Sequence, residues 1–85
     1  MKRGIAGSLE SNDAIITVKE SDTLKITVKS NVYDFFHKQI EKVITDTLAE
    51  LGYDKIEVMC EDKGALDYTI KARLIVAISR MEASE

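Results

Sequence analysis

The chain has 85 residues, 45% of them hydrophobic and 32% charged, with 15 acids against 12 bases and a formal net charge of -3. Without a Pro-rich or Gly/Ser-rich linker, a chain of this length is expected to form one domain, 1–85, whose small core supplies modest stability. The acidic balance argues against nucleic acid as a partner, the longest apolar run (74–78) is far too short to span a membrane, and one cysteine with one histidine leaves no internal disulfide and no metal-site spacing.

The start, Met1-Lys2-Arg3-Gly4-Ile5-Ala6-Gly7, is charged and is followed by no apolar stretch of signal-peptide length. The expected location is therefore cytoplasmic. Next comes the polar stretch Gly7-Ser8-Leu9-Glu10-Ser11-Asn12-Asp13, with two hydroxyls among small or acidic residues. Segment 1–12 reads as a flexible segment, with Gly4 and Gly7 favouring mobility. Polar stretches of this kind are usually frayed ends, but an exposed hydroxyl is also what an external modifying enzyme requires.

From Asp13 the residues alternate. Ala14, Ile16 and Val18 fall on one side, Asp13, Thr17 and Lys19 on the other, as in a half-buried strand. Glu20-Ser21-Asp22-Thr23 reads as a turn, after which Leu24, Ile26 and Val28 alternate with Lys25, Thr27 and Lys29. The two runs predict a hairpin whose Ile/Val face needs a cover. Val32, Phe35, Phe36, Ile40, Val43, Ile44, Leu48 and Leu51 recur at three- and four-residue intervals, which predicts a helix of about five turns as that cover. Asn31 is the expected cap, Asp34 suits the first turn and Gly52 the helix end. Asp34 with Lys38, and Lys42 with Asp46, are expected as pairs on the wet side. His37 sits at the edge of the apolar face and reads as a boundary residue, not a general base.

Residues 55–61 predict another strand, with Ile56, Val58 and Cys60 inward and Cys60 an inert buried thiol. Asp62-Lys63-Gly64 ends it, with Gly64 expected in a conformation that side chains disfavour. The tail is ambiguous. Leu66, Tyr68, Ile70, Ala72, Leu74, Val76 and Ile78 alternate like a strand, yet Leu66, Ile70, Leu74, Ala77, Ile78 and Met81 would line a helix. Tyr68, Thr69 and Ile70 favour a strand up to Leu74 and a helical or frayed finish. The predicted class is α+β: a small antiparallel sheet with a long helix packed on one face, and a C-terminal segment, 66–81, that is strand or helix. Lys71 and Arg73 read either as partner-docking charges or as the wet side of that segment.

Two blocks, Ala6-Gly7-Ser8-Leu9-Glu10-Ser11-Asn12-Asp13 and Asp62-Lys63-Gly64-Ala65-Leu66-Asp67-Tyr68-Thr69-Ile70-Lys71-Ala72-Arg73, closely resemble the acyl carrier protein (gamma subunit) of citrate lyase. The resemblance covers nearly the whole chain, and two separated motifs in the right order are far more specific than either alone. The family often has Cys where Tyr68 stands; that departure lies outside the attachment motif.

The resemblance implies a non-catalytic carrier in which Ser11 is joined by a phosphodiester to 2'-(5''-phosphoribosyl)-3'-dephospho-CoA, whose thiol holds acetyl or citryl as a thioester. It implies citrate lyase alpha (acyl transferase) and beta (lyase) subunits as partners, together with a cofactor-transferring enzyme. Ser8 is the rival hydroxyl. The carrier subunit of malonate decarboxylase, with a similar start and arm, is the alternative, and Gly64-Ala65-Leu66-Asp67 favours citrate lyase. A cofactor-free interaction module is the reading from another class. No nucleophile–base pair or carboxylate dyad at informative spacing supports a stand-alone enzyme.

Overall fold

The computed structural model describes residues 2–30 and 35–84, those at 35 and 36 by their backbone alone. In chain order the elements are β1 (Arg3–Gly7), β2 (Ala14–Glu20), β3 (Lys25–Ser30), α1 (Phe35–Leu51), β4 (Ile56–Asp62) and α2 (Asp67–Ala83). The strands form one sheet in the order β1-β2-β4-β3. β1 and β4 each run antiparallel to β2, and β3 runs parallel to β4. α2 lies over β1 and β2, α1 lies over β3, and the helices touch each other.

The α+β class holds, but the sheet is mixed where an antiparallel one was expected, and the expected hairpin does not form. β2 and β3 are not neighbours, because β4 stands between them. Alternation tells which side chains face inward but not which strand lies alongside. Charge favours the observed order. In one register that keeps both apolar faces inward, a hairpin sets Lys19 opposite Lys25, and like charges directly opposed are destabilising. With β4 inserted, Glu57 is opposite Lys19 on one side and Lys25 on the other, with contacts of 3.2 and 4.0 Å. The parallel pairing of β3 with β4 needs a crossover long enough to return the chain, and α1 is that crossover.

The strand preference for residues up to Leu74 is also overturned; α2 is helical from Asp67. A helix is about 10 Å across and strands lie about 4.8 Å apart, so one helix covers two strands and a four-stranded sheet needs two. Ile70, Leu74, Ala77, Ile78 and Met81 are the buried face of α2. Tyr68 and Ala72, inward in a strand, are exposed. These α2 residues join Ala14, Ile16 and Val18 of β2, Ile56, Val58 and Cys60 of β4, and Ile40, Ile44 and Leu48 of α1 in one buried cluster.

Part of the expected attachment segment is sheet: Arg3–Gly7 form β1, an edge strand. Gly4 serves close packing there, because a Cβ on it would meet the backbone of Ala77 and Met81 in α2. The free side of β1 is tied to the end of α2 by a 2.8 Å bond from Arg80 Nη1 to the Ile5 carbonyl and a 3.3 Å bond from the Arg3 amide to Ser84 Oγ. Gly52 ends α1 with φ +80°, and Lys42 pairs with Asp46 at 2.8 Å, both as expected. The expected Asn31 cap, the Asp34 to Lys38 pair and the side chains of Val32, Phe35 and Phe36 lie outside the described residues.

Candidate functional site

The two sequence blocks that carry the resemblance meet in space. β1 ends at Gly7, where φ is +102° and a Cβ would fall 1.8 Å from the Ala14 carbonyl oxygen, so only glycine fits. The chain then turns through residues 8–13 into β2. The Asp13 amide donates to the Glu10 carbonyl at 3.2 Å, closing a turn with Ser11 and Asn12 at its corner. Asn12 has φ +65°, the left-handed region that asparagine tolerates better than most residues.

The corner between β4 and α2 holds this loop. The Asn12 amide donates to the Lys63 carbonyl at 2.8 Å, and the Lys63 amide donates to the Asp13 carbonyl at 2.9 Å. These bonds extend the β2–β4 ladder beyond its last pair, Ala14 with Asp62. Gly64 turns the chain away with φ +95°, as expected, and a Cβ there would stand 3.6 Å from Asn12 Oδ1. Asp62, buried at the end of β4, accepts from the Ala65 amide at 2.8 Å and from Ser30 Oγ at 3.0 Å. It thereby fixes the corner that holds the loop.

Asp13 is the hub. Arg73 of α2 donates to both its oxygens, Nε to Oδ1 at 3.0 Å and Nη2 to Oδ2 at 2.9 Å, in the two-pronged geometry that guanidinium and carboxylate favour. Ser8 Oγ donates to Oδ2 at 2.7 Å and the Ala14 amide to Oδ1 at 2.7 Å. The Arg73 hydrogen bonds, then those of Ser8 and Ala14, hold the Asp13 carboxyl well below its usual range. Asp13 in turn raises the pKa of Arg73.

This network separates the two hydroxyls. Ser8 is half-buried, donates to Asp13 and accepts from the Glu10 amide at 3.3 Å. Ser11 is exposed at the loop corner, and its hydroxyl makes no hydrogen bond among the described residues. Arg73 is engaged with Asp13, and Lys71 pairs with Glu50 of α1 at 3.1 Å. Neither the Asp13–Arg73 pair nor the buried Asp62 was read as functional from the sequence. Their signal was there, since both lie in the two recognised blocks, but sequence order does not show that the blocks touch.

Cys60 is buried, and burial together with the Asp62 charge pushes its thiol up to about 12, so it is inert. His37 lies half-buried on the flank of α1. Among the described residues no group of three or more His, Cys, Asp or Glu could hold a metal, and no helix is long and apolar enough to cross a membrane.

The family model described as ACP, malonate decarboxylase delta subunit (MdcD), matches residues 1–81. One chain of a Pseudomonas malonate decarboxylase hetero-tetramer, solved in complex with malonate, has the same fold at a TM-score of 0.74 with 17% identity, covering 96% of this chain and 82% of that one. The class is thus that of the small α+β acyl carrier proteins. The citrate lyase acyl carrier protein of Streptococcus mutans is 53% identical over 89% of this chain and 76% of its own length. That of Lactobacillus acidophilus is 48% identical over 89% and 79%, and that of Treponema denticola 38% identical over 93% and 91%. The chain belongs to the citrate lyase acyl carrier proteins, and its role is that of a non-catalytic carrier subunit.

Proposed function

We propose that Ser11 is the attachment point, linked by a phosphodiester to phosphoribosyl-dephospho-CoA, and that the whole chain acts as one carrier domain with residues 8–13 as its attachment loop. The observation that carries this reading is the exposed Ser11 hydroxyl, unengaged among the described residues, at the corner of a loop built from both family blocks. The loop fits the group. Its corner is open to solvent, its backbone is held from below, and the neighbouring Ser8 hydroxyl is already committed to Asp13. When bound, the group supplies the terminal thiol on which acyl units are carried.

In attachment the Ser11 oxygen forms a bond to the phosphorus of an activated form of the cofactor. The leaving group departs with the electrons of the broken P–O bond, and the serine proton goes to the transferase. The chain itself need supply no base, and Asp13, held ionised and fully engaged, is poorly suited to be one. Tethering makes each encounter with a partner active site intramolecular. The partners proposed are citrate lyase alpha and beta subunits and the cofactor-transferring enzyme, in the cytoplasm.

Intact mass after treatment with that transferase and its activated cofactor tests the reading. Wild type and Ser8→Ala should gain the mass of the group, Ser11→Ala should gain none, and peptide mapping should place the group on Ser11. A group found on Ser8, or a fully modified Ser11→Ala, would overturn it.

A further inference from the structure

We propose that Arg73 is a positioning residue for attachment of the prosthetic group: through Asp13 it holds the 8–13 loop in the shape that presents Ser11. This rests on the reading of Ser11 above. The Arg73–Asp13 pair joins residues 60 apart in the chain. It is the one side-chain link, among the described residues, between α2 and the attachment loop.

Stability gives little reason for the pair. The Arg73 side chain is 41% exposed, and ion pairs of that exposure contribute little to folding. A two-pronged pair instead fixes orientation. An ionised carboxylate offers about four acceptor positions, and here two guanidinium nitrogens, the Ser8 hydroxyl and the Ala14 amide address them. Asp13 therefore cannot rotate without releasing Ser8, which supports the Glu10 amide, or the first amide of β2. Each release loosens the turn whose corner is Ser11. Lys71, two residues earlier on the same helix, points to α1 and makes a single contact with Glu50. The fork is thus specific to the residue that faces the loop.

The test measures prosthetic-group transfer to the full chain by the cofactor-transferring enzyme, following intact mass over time to obtain kcat and KM. Arg73→Met and Asp13→Asn should each lower kcat by about ten- to a hundredfold, the scale of a misplaced reacting group, with KM nearly unchanged. The double variant should be no slower than either single one, because the two side chains act as one unit. A lowered melting temperature in Arg73→Met would leave Asp13→Asn to carry the comparison, since it retains a side chain of the same shape.

Several results would overturn the proposal. Wild-type kcat in Asp13→Asn would do so, and a rise in KM alone would make Arg73 a docking contact. Losses that multiply in the double variant would mean that the two residues act separately. Mapping keeps the two readings apart: a group on Ser11 with unchanged kcat in Asp13→Asn sinks the positioning role alone, whereas a group on another residue sinks both.

Discussion

Gly4 in β1 rests directly on the backbone of Ala77 in α2: a Cβ on Gly4 would stand 2.0 Å from the Ala77 carbonyl oxygen and 2.5 Å from the Met81 amide nitrogen. Neither atom can step aside as a flexible side chain would. Gly4→Ala must push β1 and α2 apart, at a cost of about 1–3 kcal/mol, the range seen for overpacking. Gly52→Asn is the comparison, since Gly52 has open space around it and a positive φ that asparagine accepts. Thermal melts should show the larger loss at Gly4; equal melts would mean that strand and helix separate at little cost.

The inner face of α1 makes a second prediction. Ile40 and Ile44 are buried against the sheet, and truncating either to alanine should cost about 2–5 kcal/mol, a large part of the stability of a small domain. Lys38→Ala, on the exposed side, should leave the melt where it is. A loss at Ile44 no greater than at Lys38 would contradict the packing of α1.

Asp13 sets an acid limit. Its folded pKa lies below the usual 3.8, so its stabilising effect is fully present above that value and is lost as pH falls through the lower folded one. Asp13→Asn should therefore be slightly less stable than wild type at neutral pH, by no more than the small amount that a partly exposed pair contributes. The gap should narrow as pH drops below 3.8 and close only at stronger acid. Chemical denaturation of both proteins across this range is the measurement, and a gap independent of pH would show that the carboxylate's charge contributes nothing.

Cys60 reports on opening of the core. With its thiol pushed up to about 12 and its side chain buried, it should resist a thiol reagent in the native protein and react fully in denaturant. The labelling rate should rise in Ile44→Ala about tenfold for each 1.4 kcal/mol of stability lost, because labelling follows the population of the open form. Rapid labelling of the native protein would mean that β4 is accessible without unfolding.

The α+β class, the positions of β2, β3, β4 and α1, and the turn glycines Gly52 and Gly64 were legible because each depends on local pattern. Strand neighbours were not, because the same alternation in β2 and β3 suits a hairpin as well as two strands separated by a third. The Lys19–Glu57–Lys25 row was a usable signal, since two lysine-bearing strands call for an acidic one between them. For residues 67–83 helix and strand patterns coincide over Ile70, Leu74 and Ile78, and only the area of sheet to be covered decides. At the site, Ser11 came from a motif, whereas the link from Asp13 to Arg73 depends on the tertiary fold that brings the two blocks together.

The place of β4 between β2 and β3 has a consequence for the order of assembly. Until residues 56–62 arrive, β3 has no neighbouring strand and β2 has only the five-residue β1. A chain emerging from the ribosome therefore exposes the apolar faces of β2, β3 and α1 together, and its last third must be made before the sheet can close. The Ser11 loop needs the Lys63 backbone and the Arg73 fork, both made late. If Ser11 is the attachment point as proposed, an enzyme that recognises the shaped loop would act only on chains that have finished folding.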